Sequence, residues 1–585
     1  MTDKIIEIRF NGVKRKVKEG STILDVAKDL GVFIPRLCFL EEVHEEGNCR
    51  LCSVEVDGNP NLKPACRTTC YEGMSVITEN MRTYNHVVNI LELMAANHHF
   101  ECFTCSREEN CEFLDLLRRY SISNEYSDLY GYKQKKTRMN ISSPAMYIDS
   151  SKCVLCGRCV SACEKNTALG ILNFNERGSD TYVGPALFHA LEDSGCIYCG
   201  KCIQACPTGA IREHDDIKRF EQAIHDSNKA VIVQIAPSVR VALGEEFGYP
   251  VGTNVEGQMF AALQRLGVNE IMDTNFAADL TIIEEGSELL ERISKDGVLP
   301  LFTSCSPGWI NYVEQYFPEY IPNVSTCKSP QQMAGALIKT YYAEKLGIDP
   351  HNIVSVSIMP CVAKKAEAKR EEMGRDGYQD VDIVLTTREF ARLIRRRGIN
   401  FRELKPIAPY GELAEYTGAA SIFGVSGGVM EAALRTVSHM LVGKSAPIEF
   451  KEIRGTDGIK EATYQVGPHK LNVAVVQGGK AIKEFLEMLE TSKKQYHFVE
   501  FMGCKGGCIN GGGQPIVKAT DLQNVDVIKE RSSALYTSDQ KATFRRSDQN
   551  EAVKKLYDDY LNKKGHYAIH DLLHTHYHQR KPYSK

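Results

Sequence analysis

Cysteine spacing is the feature that most limits what this chain can fold into. The chain has 21 cysteines, and eight of them form two successive runs with the spacing C-x2-C-x2-C-x3-C, the second followed by Pro207. This spacing is typical of a ferredoxin-like domain with two [4Fe–4S] clusters, in which the fourth cysteine of each run binds the other cluster. We therefore predict one cluster on Cys153, Cys156, Cys159 and Cys206, and a second on Cys196, Cys199, Cys202 and Cys163.

Another set of four cysteines follows a start that is typical of a β-grasp fold. The segment IIEIRF alternates as a strand does, Asn11-Gly12 signals a hairpin turn, and Ser21 or Thr22 can cap the helix ILDVAKDL. A close C-x2-C pair with one distant thiol on each side suits a [2Fe–2S] cluster, and a structural zinc site is the alternative. The β-grasp pattern favours the cluster. Its predicted ligands are Cys38, Cys49, Cys52 and Cys66.

A histidine and three cysteines lie between these two regions. Three thiols and one imidazole suit zinc as well as an iron–sulfur cluster. The position between two cluster sets favours a cluster, because an electron-transfer chain needs every link. His98 is the expected ligand rather than His99, since it precedes the first cysteine with the spacing H-x3-C. The predicted set is His98, Cys102, Cys105 and Cys111.

Length, charge and hydropathy limit the class of protein to which this chain can belong. The 585 residues exceed what one hydrophobic core can organise. Lys and Arg total 71 against 75 Asp and Glu, and this near balance argues against a chain that binds nucleic acid as a whole. No apolar run is long enough to cross a bilayer, and the start MTDKIIEIRF lacks the features of a signal peptide. We therefore expect a cytoplasmic protein, whose clustered thiols bind metal rather than form disulfides.

The sequence pattern of the C-terminal part is typical of an α/β domain. Short apolar runs alternate with helical stretches and are typical of buried parallel strands. Cys305, Cys361 and Cys504 each follow such a run, and Cys508 lies four residues further on. Ligands collect at the carboxyl ends of parallel strands, so we expect these thiols in one crevice, although any one of them could be an inert buried cysteine. The runs are KAVIVQIAP, GVLPLFTSC, NIVSVSIMPC, VDIVLTT, LNVAVVQGG and YHFVEFMGC.

Three of the C-terminal segments resemble the signature sequences of [FeFe]-hydrogenases. They are TSCSPGW at 303–309, MPCVAKKAE at 359–367 and EFMGCKGGCINGGGQP at 500–515. The upstream cysteine sets match the long, clostridial-type members, so the resemblance covers nearly the whole chain. It implies an H-cluster, which is a [4Fe–4S] cubane joined by a cysteine to a diiron unit with CO, cyanide and an azadithiolate bridge.

The resemblance and the cysteine sets together predict a multidomain chain of mixed α+β and α/β class. The predicted domains are a [2Fe–2S] β-grasp domain at 1–80, a small cluster domain with one histidine and three cysteine ligands at 81–140, a two-[4Fe–4S] ferredoxin domain at 141–225 and an α/β hydrogenase domain at 226–585.

Residue roles in the last domain are implied by position in the family signatures. Cys361, Cys504 and Cys508 would bind the cubane, and Cys508 would also bridge to the diiron unit. A buried ammonium is a good partner for a small anionic ligand, so Lys364 would contact one cyanide. The glycine-rich segments GVSGG and CINGGGQP would let the backbone approach the cofactor closely. The remaining implied contacts to the diiron unit come from Ser238, Met359 and Met502.

Proton delivery to a buried metal site needs a chain of titratable groups. The residues that match the family's proton relay are Cys305, Glu285, Ser325, Glu288 and Arg292. Glu285 and Glu288 are three residues apart and would share one helix face. Without the resemblance, two surface carboxylates would be the simpler interpretation.

The first signature departs from the family at one position. The family usually has two adjacent cysteines, of which the first relays protons and the second binds the cubane. Here the second is Ser306. Three explanations stay open: Ser306 binds iron as an alkoxide, Cys305 turns inward and binds instead, or the site is incompletely ligated and the protein is impaired.

The resemblance implies the reversible reaction 2H⁺ + 2e⁻ ⇌ H₂, with electrons carried along the upstream clusters. No G-x-G-x-x-G fingerprint follows a strand, so the electron partner would be ferredoxin or an NAD(P)-linked partner subunit. The alternatives are an H₂-sensing or low-activity relative, an electron-relay subunit of a larger NAD(P)-linked complex, and an iron–sulfur assembly factor. The histidine-rich segment HDLLHTHYHQ is expected to be a solvated tail or a subunit contact. Cys70 and Cys327 are expected to be buried thiols without ligand roles.

Overall fold

The fold is described from a computed structural model that covers residues 4–123, 138–443, 447–467 and 469–583. The predicted multidomain α+β and α/β class is confirmed, with separate small sheets in the N-terminal third and two larger sheets in the C-terminal part. The predicted boundary at 140/141 lies just beyond residues 124–137, which are outside the described residues. No helix in the described ranges is both long and apolar enough to span a membrane.

The N-terminal domain is a five-stranded sheet with one helix packed against it. Asn11 and Gly12 have φ angles of 48° and 80°, as the tight turn between the first two strands requires. The side chain of Thr22 accepts from the amide of Asp25 and completes a capping box. The sheet has the order β2-β1-β5-β3-β4, with β1 parallel to β5. The elements are β1 Ile5–Phe10, β2 Val13–Lys18, α1 Ile23–Asp29, β3 Ser53–Val56, β4 Lys63–Pro64 and β5 Ser75–Ile77.

In the described residues that follow, five helices and two small sheets contain or flank the next cysteine sets. Each C-x2-C-x2-C run enters a helix through a glycine with positive φ, Gly157 at 86° and Gly200 at 72°. The elements are α2 Met81–Ala96, α3 Glu112–Arg119, β6 Met139–Asn140, β7 Met146–Asp149, α4 Arg158–Thr167, β8 Asn173–Asn175, β9 Tyr182–Gly184, α5 Lys201–Ala205, β10 Ile211–Glu213 and α6 Ile217–His225.

One buried arginine joins these N-terminal regions. Arg158, at the start of α4, donates to both carboxylate oxygens of Glu112 at 2.7 and 2.9 Å. It also donates to the carbonyl oxygens of Cys38 and Phe39 at 3.4 and 2.9 Å. A bidentate guanidinium–carboxylate pair has little freedom of orientation, so the three cysteine-bearing regions are held in one arrangement.

The C-terminal part contains two four-stranded sheets. The apolar runs of the sequence predict strands but do not indicate which sheet each strand joins. The first has the order β12-β11-β14-β17 and is parallel, and the second has the order β13-β20-β19-β18, in which only the β18–β19 pair is antiparallel. All six predicted runs contain strands, whereas Glu270–Asp273 and Ile459–Val466 in these two sheets were not predicted. The strands are β11 Ala230–Ile235, β12 Glu270–Asp273, β13 Leu301–Phe302, β14 Ile353–Met359, β15 Gly374–Arg375, β16 Tyr378–Gln379, β17 Ile383–Thr386, β18 Ile459–Val466, β19 His469–Gln477 and β20 Phe498–Met502.

The long helix α8, Thr274–Ser294, contributes to the cores of both sheets. Phe276 and Leu280 pack in one buried cluster, and Ala278, Ile282 and Leu289 pack in another. The helix is therefore apolar on most sides, as expected for a buried element. The other helices are α7 Glu256–Leu266, α9 Pro307–Tyr316, α10 Pro330–Leu337, α11 Ala343–Leu346, α12 Ala363–Glu367, α13 Thr387–Arg396, α14 Gly418–Ser421, α15 Gly428–Val442, α16 Gly479–Thr491, α17 Val527–Lys541, α18 Glu551–Leu556, α19 Asn562–Lys564 and α20 His566–Leu573.

The histidine-rich C-terminal segment packs on its own chain, so the expectation of a solvated tail was wrong for this part, and the alternative of a subunit contact stays a prediction. The amide of Thr575 donates to the carbonyl of Thr326 at 2.7 Å, and the amide of Lys328 donates to the carbonyl of Leu573 at 2.8 Å. His574 is hydrogen-bonded to the Thr326 hydroxyl at 2.8 Å. The buried Leu573 explains the packing, because its side chain joins the core beside α8.

Candidate active site

A cavity of about 90 Å³ lies where strands from both large sheets end. The strands β11 and β14 approach it from one sheet, and β13 and β20 approach it from the other. Most of the residues predicted for the cofactor and for its cysteine ligands line this cavity. They are Ser238, Cys305, Ser306, Met359, Cys361, Lys364, Met502, Cys504 and Cys508.

The cavity thiols are shielded from solvent. Burial, together with the neighbouring thiols, raises the pKa of Cys361 to about 11 and that of Cys508 to about 12. Binding to iron removes the thiol proton, so these groups are suited to a metal and not to free thiolate chemistry. Across the described parts of the chain, no three Cys, His, Asp or Glu side chains form a site for a single metal ion.

Lys364 is a buried ammonium at the wall of the cavity. It follows Cys361 by one helical turn and donates to the Ser329 hydroxyl at 2.8 Å and to the carbonyl of Cys305 at 3.1 Å. Its ion pair is Glu367, at 2.8 Å in the same helix. The cation is thus fixed in place beside the cavity, where it would attract a small anionic ligand.

Two unpaired polar atoms at or beside the cavity fit a bound group. The Ser238 hydroxyl is fully buried and has no hydrogen-bond partner among the described residues. One carboxylate oxygen of Glu285, Oε2, is also buried without such a partner. Buried polar atoms are normally satisfied, and exceptions call for an explanation. A hydroxyl that lines a cavity beside four thiols and an ammonium fits a cofactor with polar ligands, as the family's diiron unit has.

Close backbone approach around the cavity depends on glycine. Gly507 has a φ of 86°, and a Cβ there would lie 2.6 Å from the amide nitrogen of Ser426. The loop that carries Cys508 therefore packs directly on the loop GVSGG. Glu500 holds this second loop, because its carboxylate accepts from the amides of Gly427 and Met430 at 2.6 and 2.7 Å.

Cys305 and Ser306 lie side by side at the end of β13 with different surroundings. Ser306 precedes α9, which starts with Pro307 as helices often do, and its hydroxyl accepts from the amide of Gly503 at 3.2 Å. The Cys305 side chain packs beside the apolar cluster that contains Met502. Burial and the carboxylate of Glu285 raise the pKa of the Cys305 thiol well above its usual range.

The five residues of the expected proton relay lie next to one another. Burial and the nearby Glu288 carboxylate raise the pKa of Glu285 to about 8. The amide of Ser304 donates to Glu285 at 3.4 Å, and the Ser325 hydroxyl donates to Glu288 at 2.7 Å. Arg292 donates to Glu288 at 2.6 Å on the outer side. The carboxyl groups are thus on one face of α8, as the spacing predicts.

Sequence reasoning missed several polar groups around the site. Gln331 lines the cavity and donates to Glu367, the ion-pair partner of Lys364, at 2.9 Å. Burial raises the pKa of Glu500 to about 7. Cys327 is buried as expected, but its thiol also contacts Glu288, at 3.9 Å. For Glu500, the sequence offered one signal of a functional or structural role. It lies within a predicted buried strand, where a carboxylate is costly unless it is hydrogen-bonded or paired.

The eight thiols of the ferredoxin-like pattern line two separate small cavities of about 20 Å³ each. The fourth cysteine of each run lies in the cavity of the other run. One cavity is lined by Cys153, Cys156, Cys159 and Cys206, and the other by Cys163, Cys196, Cys199 and Cys202.

The two N-terminal sets are also buried, at least in part. The Sγ atoms of Cys52 and Cys66 are 3.4 Å apart, and the amide of Cys49 lies 3.4 Å from the Sγ atom of Cys38. His98 lies between two aromatic rings, those of Phe100 and Phe113. Its Nδ1 atom is buried without a hydrogen bond among the described residues. Cys102 and Cys105 flank a short 3₁₀ turn, and Cys111 caps α3.

Family models match nearly every part of the chain. Residues 229–512 match the C-terminal domain of the iron-only hydrogenase large subunit, and 525–580 match the iron hydrogenase small subunit. Residues 3–81 match a 2Fe-2S cluster binding domain, and 152–210 match a 4Fe-4S dicluster domain. Residues 88–125 match an iron–sulfur binding region of NADH-ubiquinone oxidoreductase G.

Full-length relatives and solved structures agree with these matches. Iron hydrogenase 1 of Clostridium pasteurianum is 42% identical over 97% of this chain and 99% of its own length. The NADP-reducing hydrogenase subunit HndD of Solidesulfovibrio fructosivorans is 42% identical over 99% of both chains. The structure of an apo [FeFe]-hydrogenase HydA1 variant from Chlamydomonas reinhardtii is 39% identical, covers 63% of this chain and all of its own, and superposes with a TM-score of 0.56.

The fold and the cavity define an iron–sulfur oxidoreductase that acts on H₂. The chain belongs to the [FeFe]-hydrogenases, with an H-cluster domain preceded by 2Fe-2S and 4Fe-4S domains. The segment that matches the small subunit is part of the same chain.

Proposed function

We propose that this hydrogenase interconverts protons and H₂ with one [2Fe–2S] cluster, three accessory [4Fe–4S] clusters and an H-cluster with an azadithiolate-bridged diiron unit. The observation that carries the proposal is the cavity at the strand ends, where four thiols, the Ser238 hydroxyl and the Lys364 ammonium converge. When bound, the H-cluster supplies the metal centre at which protons and electrons combine. The chain's own residues hold it, exclude water and conduct protons and electrons.

Cys361, Cys504 and Cys508 would hold the cubane, and Cys508 would also hold the diiron unit. Ser306 takes the fourth cubane position, and Cys305 keeps the thiol that faces the proton relay. The hydrogen bond from Gly503, the residue before Cys504, to the Ser306 hydroxyl supports this assignment. The surroundings of Cys305 also support this assignment, because the Glu285 carboxylate raises the pKa of the Cys305 thiol more than any other cavity thiol does.

Lys364 and Ser238 hold the polar ligands of the diiron unit, and Met359 and Met502 fill the apolar space beside it. Lys364 is suited to this role because Glu367, Ser329 and the Cys305 carbonyl fix its ammonium without exposing it. Both methionines are 2% exposed, and an unbranched thioether adapts to an irregular surface.

Protons move between solvent and the cavity through Glu288, Ser325, Glu285 and Cys305, and Arg292 lies at the outer end of this path. Glu285 holds a proton at neutral pH, because its pKa is about 8, and donates it toward the Cys305 thiol. Ser325 then passes a proton from Glu288, with which it is hydrogen-bonded. The guanidinium of Arg292 stays charged and keeps Glu288 in position at the outer end.

Electrons pass along the cluster sets to the cavity. Tight backbone contacts support this route. A Cβ on Gly512 would overlap the carbonyl oxygen of Cys199, so the loop after Cys508 touches the second ferredoxin cluster site directly. A Cβ on Gly209 would lie 2.5 Å from Cys105 Sγ, which brings the His98 set against the residues that follow Cys206.

The external electron partner is a ferredoxin or an NAD(P)-linked subunit that docks on the N-terminal domains. The similarity to HndD, described as a subunit of an NADP-reducing hydrogenase, favours partner subunits. The decisive experiment measures H₂ evolution with a reduced artificial dye after cofactor maturation, alongside iron and sulfide content. Activity with the dye and iron for all five centres are expected. A protein that is fully loaded with iron but neither evolves nor consumes H₂ would contradict the proposal.

A further inference from the structure

Two buried cations lie between neighbouring cluster sites. Arg107 and Lys201 are 5% and 7% exposed. Within the described part of the chain, neither has a carboxylate at ion-pair distance, whereas the nearby Arg158 is paired with Glu112 at 2.7 Å. Buried charges are normally paired, because removing them from water is costly. These two therefore lack the partner that a buried cation needs.

Arg107 lies between the His98 set and the first ferredoxin cluster site. Its Nη2 atom donates to the carbonyl of Cys206 at 3.1 Å. Its Nε and Nη1 atoms are buried without a hydrogen bond to any described residue. Burial lowers the pKa of Arg107, and the thiols Cys206 and Cys111, one from each neighbouring site, act against this. The guanidinium thus has free donors and thiols on both sides.

Lys201 also lies between two cofactor sites, in this case the second ferredoxin cluster site and the active-site cavity. Its Nζ atom donates to the carbonyl of Asn510 at 2.5 Å and to the Gln204 side chain at 2.8 Å. Asn510 follows Cys508 by two residues. Burial lowers the pKa of Lys201, and the thiols of Cys504 and Cys199 oppose this. The ammonium therefore lies between the second ferredoxin cluster site and the active-site cavity.

An iron–sulfur cluster bound by thiolates is the anion that fits both positions. Net charge and hydrogen bonding around a cluster set its reduction potential. A fixed cation in a poorly solvated site stabilises the more negative, reduced form more than the oxidised form, because the Coulomb interaction grows with the cluster charge. Such a cation raises the potentials of the clusters on both sides of it.

We propose that Arg107 and Lys201 are the buried counter-charges of the cluster chain and raise the reduction potentials of the clusters that flank them. Arg107 acts on the His98 cluster and the Cys206 cluster, and Lys201 acts on the Cys199 cluster and the cubane. The inference rests on the cluster assignments of the proposed function.

The test uses the full-length protein reconstituted with iron and sulfide, and it compares Arg107→Met with Lys201→Met by redox titration followed by electron paramagnetic resonance. Each replacement should lower the reduction potentials of its two flanking clusters by about 59 mV. For a one-electron couple, this shift is a tenfold change in the equilibrium constant for cluster reduction. Each variant is the control for the other, since the potentials of the two clusters that flank the unchanged cation should not move. Arg107→Lys and Lys201→Arg keep the charge and should retain most of the original potential.

Iron and sulfide counts separate the possible failures. Unchanged potentials in fully loaded Met variants would overturn the inference while leaving the cluster assignments intact. If a Met variant loses iron, Lys201→Gln and Arg107→Gln decide, because they keep a hydrogen-bond donor and remove only the charge. A wild-type protein that lacks clusters at these sites would overturn the proposed function itself. Lys505→Met removes an exposed charge beside Cys504, and a shift as large as that of Lys201→Met would also contradict the inference.

Discussion

The amide of Gly503 donates a hydrogen bond to the hydroxyl of Ser306 across 3.2 Å. Gly503 directly precedes Cys504, and a Cβ at Gly503 would lie 3.4 Å from the same hydroxyl oxygen. The hydroxyl is thereby held next to a cavity cysteine, in the place where the family has its second cysteine of the signature. The oxygen is a harder ligand for iron than sulfur is.

Replacing this oxygen by sulfur tests the assignment. Ser306→Cys should raise the cubane iron content or shift its potential, because thiolate is the softer and better ligand for an iron–sulfur cluster. Iron analysis and a redox titration measure both effects. Ser304→Cys is a matched control, since Ser304 is buried two residues away and donates to the Cys327 carbonyl. Equal effects of both changes would show that Ser306 has no special position.

Cys305 should behave as a proton donor and not as a ligand. Cys305→Ala is expected to keep the cubane iron while turnover falls ~10²–10⁴-fold, the range typical of a lost proton-transfer group. H₂ evolution with a dye and the iron count measure the two quantities. Loss of cluster iron in this variant would instead make Cys305 the ligand and leave Ser306 without that role.

Glu285 should give the proton relay its pH dependence. A carboxyl with a pKa of about 8 is protonated below that pH and ionised above it, so its capacity to donate should fall as pH rises through about 8. Glu285→Gln should remove this step in the pH profile and lower H₂ evolution ~10²–10⁴-fold below about pH 8, with a smaller loss above it. Glu291→Gln, at an exposed position on the same helix, should change neither. A profile that keeps its step without Glu285 would assign the step to another group.

The second ferredoxin cluster should serve electron transfer more than H₂ activation. Cys199→Ser should reduce dye- or ferredoxin-linked H₂ evolution far more than hydrogen–deuterium exchange, because exchange needs no electrons from outside. Cys70→Ser alters a buried thiol outside the predicted sets and should affect neither assay strongly. Parallel losses in both assays would mean that this cluster mainly stabilises the fold, since cluster binding and folding are coupled.

Arg158 should stabilise the arrangement of the N-terminal domains. Arg158→Met leaves Glu112 buried without its partner, and breaking such a pair typically costs about 3–5 kcal/mol. Thermal unfolding of the loaded protein should show a lower midpoint, with the cavity residues unaffected. Arg119→Met is a suitable comparison, because the Arg119 guanidinium lies over the Phe33 ring, 3.8 Å from its centroid. An unchanged midpoint would mean that other contacts hold these domains.

Local sequence was enough to predict the 2Fe-2S and 4Fe-4S domains. The spacing of Cys153, Cys156 and Cys159 indicates a cluster wherever the run occurs, because a short loop must wrap one cubane. The Asn11-Gly12 turn and the Thr22 cap are equally local, and both are present. The apolar runs likewise predicted most of the strands that end at the cavity.

What the sequence did not determine depends on residues that are distant along the chain. Nothing local to Ser306 indicates that Gly503 would bind its hydroxyl, and nothing near Lys201 indicates a buried position beside Asn510. Periodicity reports which residues are buried, but not which sheet a strand joins or what covers it. Burial and pairing of charges arise only when separate segments pack, and for that reason the roles of Arg107 and Lys201 became visible in the tertiary structure alone.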